Sequence, residues 1–287
     1  MVTPLTAEGE LDVKGLERLI EHLISGGVHG IFLLGSTGEA PSLTYELRKE
    51  LITKACEYIA NRVTVLVGIT DTSFQGSLDI AEHAKNAGVD AVVIASPYYF
   101  PISEFEMIEY LECLVPKLPL PFVMYNIPSC TKLHLSVDTI RRAKQLGGIG
   151  IKDSSGNLNY LYTLIEEFKP YPDFAVIAGT ESFLPKTIAK GGNGVIAGGA
   201  NFFPRLFVDL YDACVRNDIP TITALEAKVD LVQNTIYKVG KYDSAIIKGI
   251  KGALKILGIC DDHMALPLRR FETKELDRIK AYIKGVE

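Results

Sequence analysis

Two hydrophobic rhythms alternate along this chain. Leu11, Leu16, Leu19, Ile20, Leu23 and Ile24 recur at helical spacing and Gly26-Gly27 follows, which predicts a helix over 12–25. The next apolar run, Gly30-Ile-Phe-Leu-Leu34, is short and continuous, as in a buried strand. Thr44 then precedes Leu47, Leu51, Ile52 and Ala55, a capped helix reaching to about Asn61. The alternation repeats with strands at 63–69, 90–94, 122–125, around Ile149 and Ile151, 174–177 and 194–196. Helices are predicted between them over 73–87, 103–115, 136–146 and 158–168, with one more ending at Ala189. Beyond Phe202 the pattern is helical only, over 203–215, 221–239, 245–257 and 273–283.

Near-continuous apolar strands that alternate with amphipathic helices imply a parallel sheet covered by helices. Seven such strands, with Val2-Thr3 as the stub of an eighth, predict an α/β fold of the (β/α)8 TIM barrel class. A doubly wound open sheet is the alternative. It calls for a Gly-x-Gly-x-x-Gly turn after the first full strand, and Gly35-Ser-Thr-Gly-Glu39 does not supply one. The barrel is expected over 1–220 and a C-terminal helical appendage over 221–287, without a linker between them.

Charge and composition narrow the partners. Net charge is −5 among 287 residues, so no basic footprint for nucleic acid exists. No apolar run is long enough to cross a membrane, and the polar, acidic start does not resemble a signal peptide. The five cysteines are scattered, with no Cys-x-x-Cys, as expected of reduced thiols in a cytoplasm. The five histidines show no metal-ligand spacing, so neither a metal nor a cofactor is expected.

In a barrel, the residues that follow each strand converge on one rim. That rule gathers Ser36 and Thr37, Tyr98 and Tyr99, Tyr125 and Asn126, Lys152, Gly179 to Glu181, and Ile196 to Gly199. Lys152, inside Gly148-Gly-Ile-Gly-Ile-Lys-Asp-Ser-Ser-Gly-Asn157, is the chemically loaded position. Desolvation at a strand end disfavours an ammonium ion, and a neutral amine attacks ketones to form an imine. The plain alternative is a snorkelling lysine paired with Asp153. An imine mechanism also needs a proton shuttle, which Tyr125 can provide if Thr37 and Tyr99 relay protons to it. Otherwise Tyr125 is a rim aromatic. Gly179, Gly198 and Gly199 either bare amides toward an anion or allow close packing.

Five stretches together resemble the dihydrodipicolinate synthase / N-acetylneuraminate lyase family. They are Gly35-Ser-Thr-Gly-Glu39, Ser96-Pro-Tyr-Tyr99, Tyr125-Asn-Ile-Pro128, Gly150-Ile-Lys-Asp153 and Gly194-Val-Ile196, in the family's order and spacing. The resemblance implies a class I pyruvate-dependent aldolase or lyase, with an imine between Lys152 and pyruvate or a related 2-oxo acid. It implies that Ser36 and Thr37 hold the carboxylate, that Tyr125 shuttles protons, and that Thr37 links to Tyr99, which reaches toward a neighbouring subunit. Gly179, Glu181 and Ile196 fall where the rest of the substrate would lie. A homotetramer, built as a dimer of dimers, is implied as well. Family members carry several more residues before the Val-Thr-Pro segment, so a shortened first strand is expected here.

The departures bear on substrate. In the synthases, the Tyr-Asn-x-Pro-Ser motif continues into an arginine that grips the carboxylate of aspartate semialdehyde. Here Cys130 stands in that place, with Lys132 close by. A thiol makes no bidentate carboxylate clamp. Ala197-Gly-Gly-Ala-Asn-Phe-Phe-Pro204 is closer to 2-keto-3-deoxy sugar acid aldolases, and Gly198 stands where sialic-acid lyases carry serine. The preferred reading is therefore cleavage or formation of a 2-keto-3-deoxy sugar acid. Dihydrodipicolinate synthase is the first alternative and an N-acetylneuraminate lyase-like activity the second. A non-catalytic 2-oxo acid-binding barrel and a phosphate-binding barrel enzyme are rivals from other classes.

Overall fold

Helix starts follow the short polar residues that precede each apolar stripe. In the computed structural model, which describes residues 1–286, α1 (Val13–Ser25) is capped by Asp12, whose side chain accepts from the Gly15 amide. Thr44, Ser73, Ser103, Ser136 and Asn157 do the same for α2 (Tyr45–Ile59), α3 (Phe74–Asn86), α4 (Glu104–Leu114), α6 (Val137–Gln145) and α7 (Leu158–Phe168). Each cap satisfies an amide that the first helical turn leaves open. Gly88, at φ +87°, turns the chain out of α3 in a conformation that a side chain would oppose.

The strands are β1 (Gly30–Leu33), β2 (Thr64–Gly68), β3 (Ala91–Ala95), β4 (Phe122–Asn126), β5 (Gly150–Asp153), β6 (Ala175–Ala178) and β7 (Gly194–Val195). They lie in sequence order in one sheet, and every pairing from β2 to β7 is parallel. This is the (β/α)8 class, with seven of its strands regular. All residues of β3 and β4 are buried, because both faces of a parallel strand are covered. The short α5 (Pro128–Thr131) follows β4, and α8 (Leu184–Lys190) follows β6.

The expected eighth strand at Val2-Thr3 does not form as a regular element. Its backbone is tied by a side chain: the Val2 amide donates to Asn201 Oδ1 at 2.8 Å. After β7 come α9 (Pro204–Arg216), α10 (Ile219–Asn234), α11 (Ala245–Ile256) and α12 (Thr273–Val286). The helix predicted over 221–239 ends earlier, and a 3-10 turn takes Ile236–Lys238.

Two compact units result. One comprises Met1–Thr64 and the chain from Ala197 onward, the other Val65–Ile196. In the first, Thr3 Oγ1 donates to the Gly38 carbonyl at 2.7 Å, and α11 turns a nearly continuous buried face, Gly249 to Leu254, to its neighbours. In the second, the core runs through β3 and β4 to Met107, Leu111, Leu161 and Leu164, all fully buried. No helix among the described residues is long and apolar enough to cross a membrane.

Candidate active site

In the second unit, parallel pairing lines the strand ends up in rows. Ala95, Tyr125, Lys152 and Ile177 are successive partners across β3 to β6. Asn126, Asp153 and Ala178 form the next row. Residues in one row share a face of the sheet, and consecutive rows face opposite ways. Tyr125 and Lys152 therefore project together, while Asn126 and Asp153 project together on the other side.

On the first face, Lys152 Nζ lies 4.2 Å from the centre of the Tyr125 ring. Both side chains are buried, Lys152 to 8% exposure and Tyr125 to 7%. The Ser154 hydroxyl donates to the Tyr125 hydroxyl at 3.4 Å. An amine and a phenol held this close can pass a proton between the groups that react with them. Ser154 extends that pair, and sequence reasoning missed it. The only signal was a hydroxyl two positions after the lysine.

On the other face, a polar lock joins the two strand ends. Asn126 Nδ2 donates to Asp153 Oδ1 at 2.8 Å, and Asn126 Oδ1 accepts the Leu135 amide at 3.0 Å. Ser155 Oγ donates to Asp153 Oδ2 at 2.9 Å. Burial holds the Asp153 carboxyl above the usual aspartate pKa, against the opposing pull of the Asn126 and Ser155 hydrogen bonds. Tyr160 Oη donates to the Leu135 carbonyl, and its ring meets that of His134 edge-on at 4.4 Å. Replacing Asn126 with Ala should leave the buried Leu135 amide unpaired and take from Asp153 Oδ1 its shorter hydrogen bond, the Ser155 amide at 3.2 Å remaining on it. Urea unfolding should then register a loss of about 1–3 kcal/mol. An unchanged midpoint would mean water replaces the amide at no cost.

Gly150 is required by β5 itself, since a Cβ there would sit 2.7 Å from the Ala175 carbonyl. Gly179 is a packing glycine as well: a Cβ would fall 1.8 Å from Ser154 Oγ. Its amide donates to the Asp153 carbonyl at 2.6 Å and is spent there rather than bared toward an anion. The Ile196 amide likewise donates to the Ala178 carbonyl at 2.9 Å. Glu181 is buried at the start of a 3-10 turn. Tyr99 is 77% exposed and meets Phe100 edge-on at 5.1 Å. Cys130 is exposed on α5. Lys132 caps that helix at φ +66°, and its Nζ turns back to the Ser129 carbonyl at 3.3 Å.

Ser36 and Thr37 belong to the first unit. They lie in the turn after β1, closed by the Gly38 amide on the Gly35 carbonyl at 3.0 Å and the Glu39 amide on the Ser36 carbonyl at 3.1 Å. Both are partly exposed.

Residues 1–286 match the Dihydrodipicolinate synthetase family. The chain belongs to that family. Within the family it is similar to the 4-hydroxy-tetrahydrodipicolinate synthase of Methanospirillum hungatei, 31% identical over 94% of this chain and 91% of that one. It is also similar to YagE of Escherichia coli, provisionally named a 2-dehydro-3-deoxy-D-gluconate aldolase, at 32% identity over 89% of this chain and 84% of that one. The solved structure of dihydrodipicolinate synthase from Bacteroides thetaiotaomicron superposes with a TM-score of 0.96 at 45% identity, covering 99% of this chain and 96% of that one. YagE, solved in complex with pyruvate, gives 0.93 at 29% identity over 99% and 96%. Family membership makes the chain a carbon–carbon lyase of the pyruvate aldolase type.

Proposed function

We propose that Lys152 forms an imine with pyruvate or with a 2-oxo acid that yields pyruvate. The observation that carries this reading is the buried Lys152 amine held 4.2 Å from the Tyr125 ring at the end of β5. The amine attacks the ketone carbon, and the carbinolamine loses water to give the imine. In cleavage, a base takes the proton of the hydroxyl on C4 and the C3–C4 bond breaks. The aldehyde leaves, and the bonding pair moves toward the imine nitrogen as an enamine. A proton returns to C3, and water releases pyruvate from the lysine. Tyr125 is the shuttle for these protons. By resemblance, Ser36 and Thr37 hold the carboxylate, and Thr37 and Tyr99 relay protons to Tyr125.

The acceptor end favours a neutral, hydroxylated partner. Cys130 replaces the clamping arginine, and Lys132 is turned onto its own helix end. A 2-keto-3-deoxy sugar acid fits this better than aspartate semialdehyde. The name of the 45% identical relative favours the synthase instead, and that is the second reading. Screening 2-oxo acids for pyruvate release separates the two. Cys130→Arg should leave imine formation intact and raise kcat/KM with aspartate semialdehyde at least about tenfold, the worth of a bidentate charged contact. It should also lower activity on sugar-derived aldehydes by crowding their pocket. Ordinary efficiency with aspartate semialdehyde in the unaltered enzyme would give the site to the synthase reading.

Exposed Tyr99, Phe100 and Phe105 support a homotetramer in which this aromatic stretch is covered by a second copy. Five free cysteines support a cytoplasmic setting.

A further inference from the structure

The turn that carries Ser36 and Thr37 is bracketed by two non-glycine residues in the left-handed region, Leu34 at φ +56° and Glu39 at φ +58°. Leucine in particular adopts that conformation only when its surroundings impose it. Something must hold this turn from outside, and the side chain of Glu39 shows what does. Glu39 is 3% exposed, and its Oε2 accepts the Ala265 amide at 2.9 Å. Its Oε1 lies 2.5 Å from Lys251 Nζ. Lys251, on α11, is fully buried and also donates to the His263 carbonyl at 2.6 Å. α11 is itself a fixed post. Gly249 lets the helix press onto the Ile236 carbonyl, where a Cβ would stand 2.6 Å away, and Gly252 packs under Ile279 and Leu276.

A lysine and a glutamate taken wholly out of water gain little net stability over two apolar side chains of the same volume. Their pairing does restrict geometry, because each charge tolerates one arrangement only. Burial weakens the hold of Lys251 on its proton, and the carboxylate of Glu39 works against that loss. Neither residue has a part in the imine chemistry described above.

We propose that the buried Lys251–Glu39 ion pair is the positioning device of the Ser36–Thr37 turn, through which α11 and residues 263–265 set the affinity of the site for the carboxylate of its 2-oxo acid. This rests on the reading that Ser36 and Thr37 grip that carboxylate. The pair acts through the turn and touches no substrate, so its loss should weaken recognition of the carboxylate and spare the amine.

Borohydride trapping on Lys152 reads the two separately, with pyruvate and with acetone, a ketone that has no carboxylate. The variant is Glu39→Gln with Lys251→Met, which keeps both shapes and the acceptor for Ala265 but removes both charges. The pyruvate concentration for half-maximal trapping should rise about tenfold or more, while that for acetone stays within about threefold. Trapping at saturating pyruvate should still reach one adduct per chain. Glu39→Gln alone should move the pyruvate value in the same direction and serves if the double variant does not fold. Equal shifts for both ketones, or a lower melting temperature with neither value moved, would make the pair a structural element and overturn the proposal. So would a failure of both variants to fold. Absence of any pyruvate adduct on unaltered Lys152 would instead refute the underlying imine reading.

Discussion

Lys152→Met should lose on the order of 10³ or more in kcat/KM and should fold at least as well as the parent. The two halves of this expectation have one origin. Lys152 is buried near the end of β5, with its amine over the Tyr125 ring. An amine there is a costly group for the fold, and methionine keeps the stem without the charge. The melting temperature should therefore hold or rise. Catalysis behaves oppositely, because the imine splits one hard bond cleavage into easier steps and no other group can form it. What remains without it is binding and orientation alone. Pyruvate with borohydride should add one reduced pyruvate unit per chain of the parent, on the peptide that contains Lys152, and none to the variant. An adduct on another lysine, or a variant within tenfold of the parent, would remove Lys152 from the mechanism.

The rows at the strand ends explain why so much of this site was legible in the sequence. Tyr125 and Lys152 each end a short apolar run, and consecutive parallel strands place such ends side by side. The helix starts were legible for a similar reason. Thr44, Ser73, Ser103 and Ser136 are short polar side chains just before an apolar stripe, and all four became caps. Val2-Thr3 misled because two β-branched residues cannot distinguish a strand from a segment held by one side chain, here that of Asn201. The polar pairs were invisible as pairs. Asn126 and Asp153, or Glu39 and Lys251, are brought together by folding, and a pattern of apolar spacing carries no record of them. Lys251 did leave a trace. It falls inside the apolar stripe of its helix, between Ile247 and Leu254, where a surface lysine has no reason to be.

Tyr125→Phe is the narrower test, since it deletes one oxygen atom and leaves the ring under Lys152. The ring contact with Nζ at 4.2 Å belongs to the aromatic face, and phenylalanine presents the same face. The fold should keep its stability to within about 1.5 kcal/mol, the usual net worth of one hydrogen bond, because the ring and its packing are unchanged. Imine formation at equilibrium should survive, so borohydride trapping at saturating pyruvate should still reach completion. Turnover should not survive intact. Each cycle moves protons on and off the carbinolamine, the C4 hydroxyl and C3, and a positioned shuttle is worth roughly 10²–10⁴ in rate. kcat should fall by on the order of 10² or more, and the approach to full trapping should slow, while its final extent stays the same. Slower trapping with unchanged extent separates a proton shuttle from a packing aromatic, which would alter extent and rate together or neither. Turnover within a few-fold of the parent would make Tyr125 a rim aromatic and pass the proton work to Ser154 or to water.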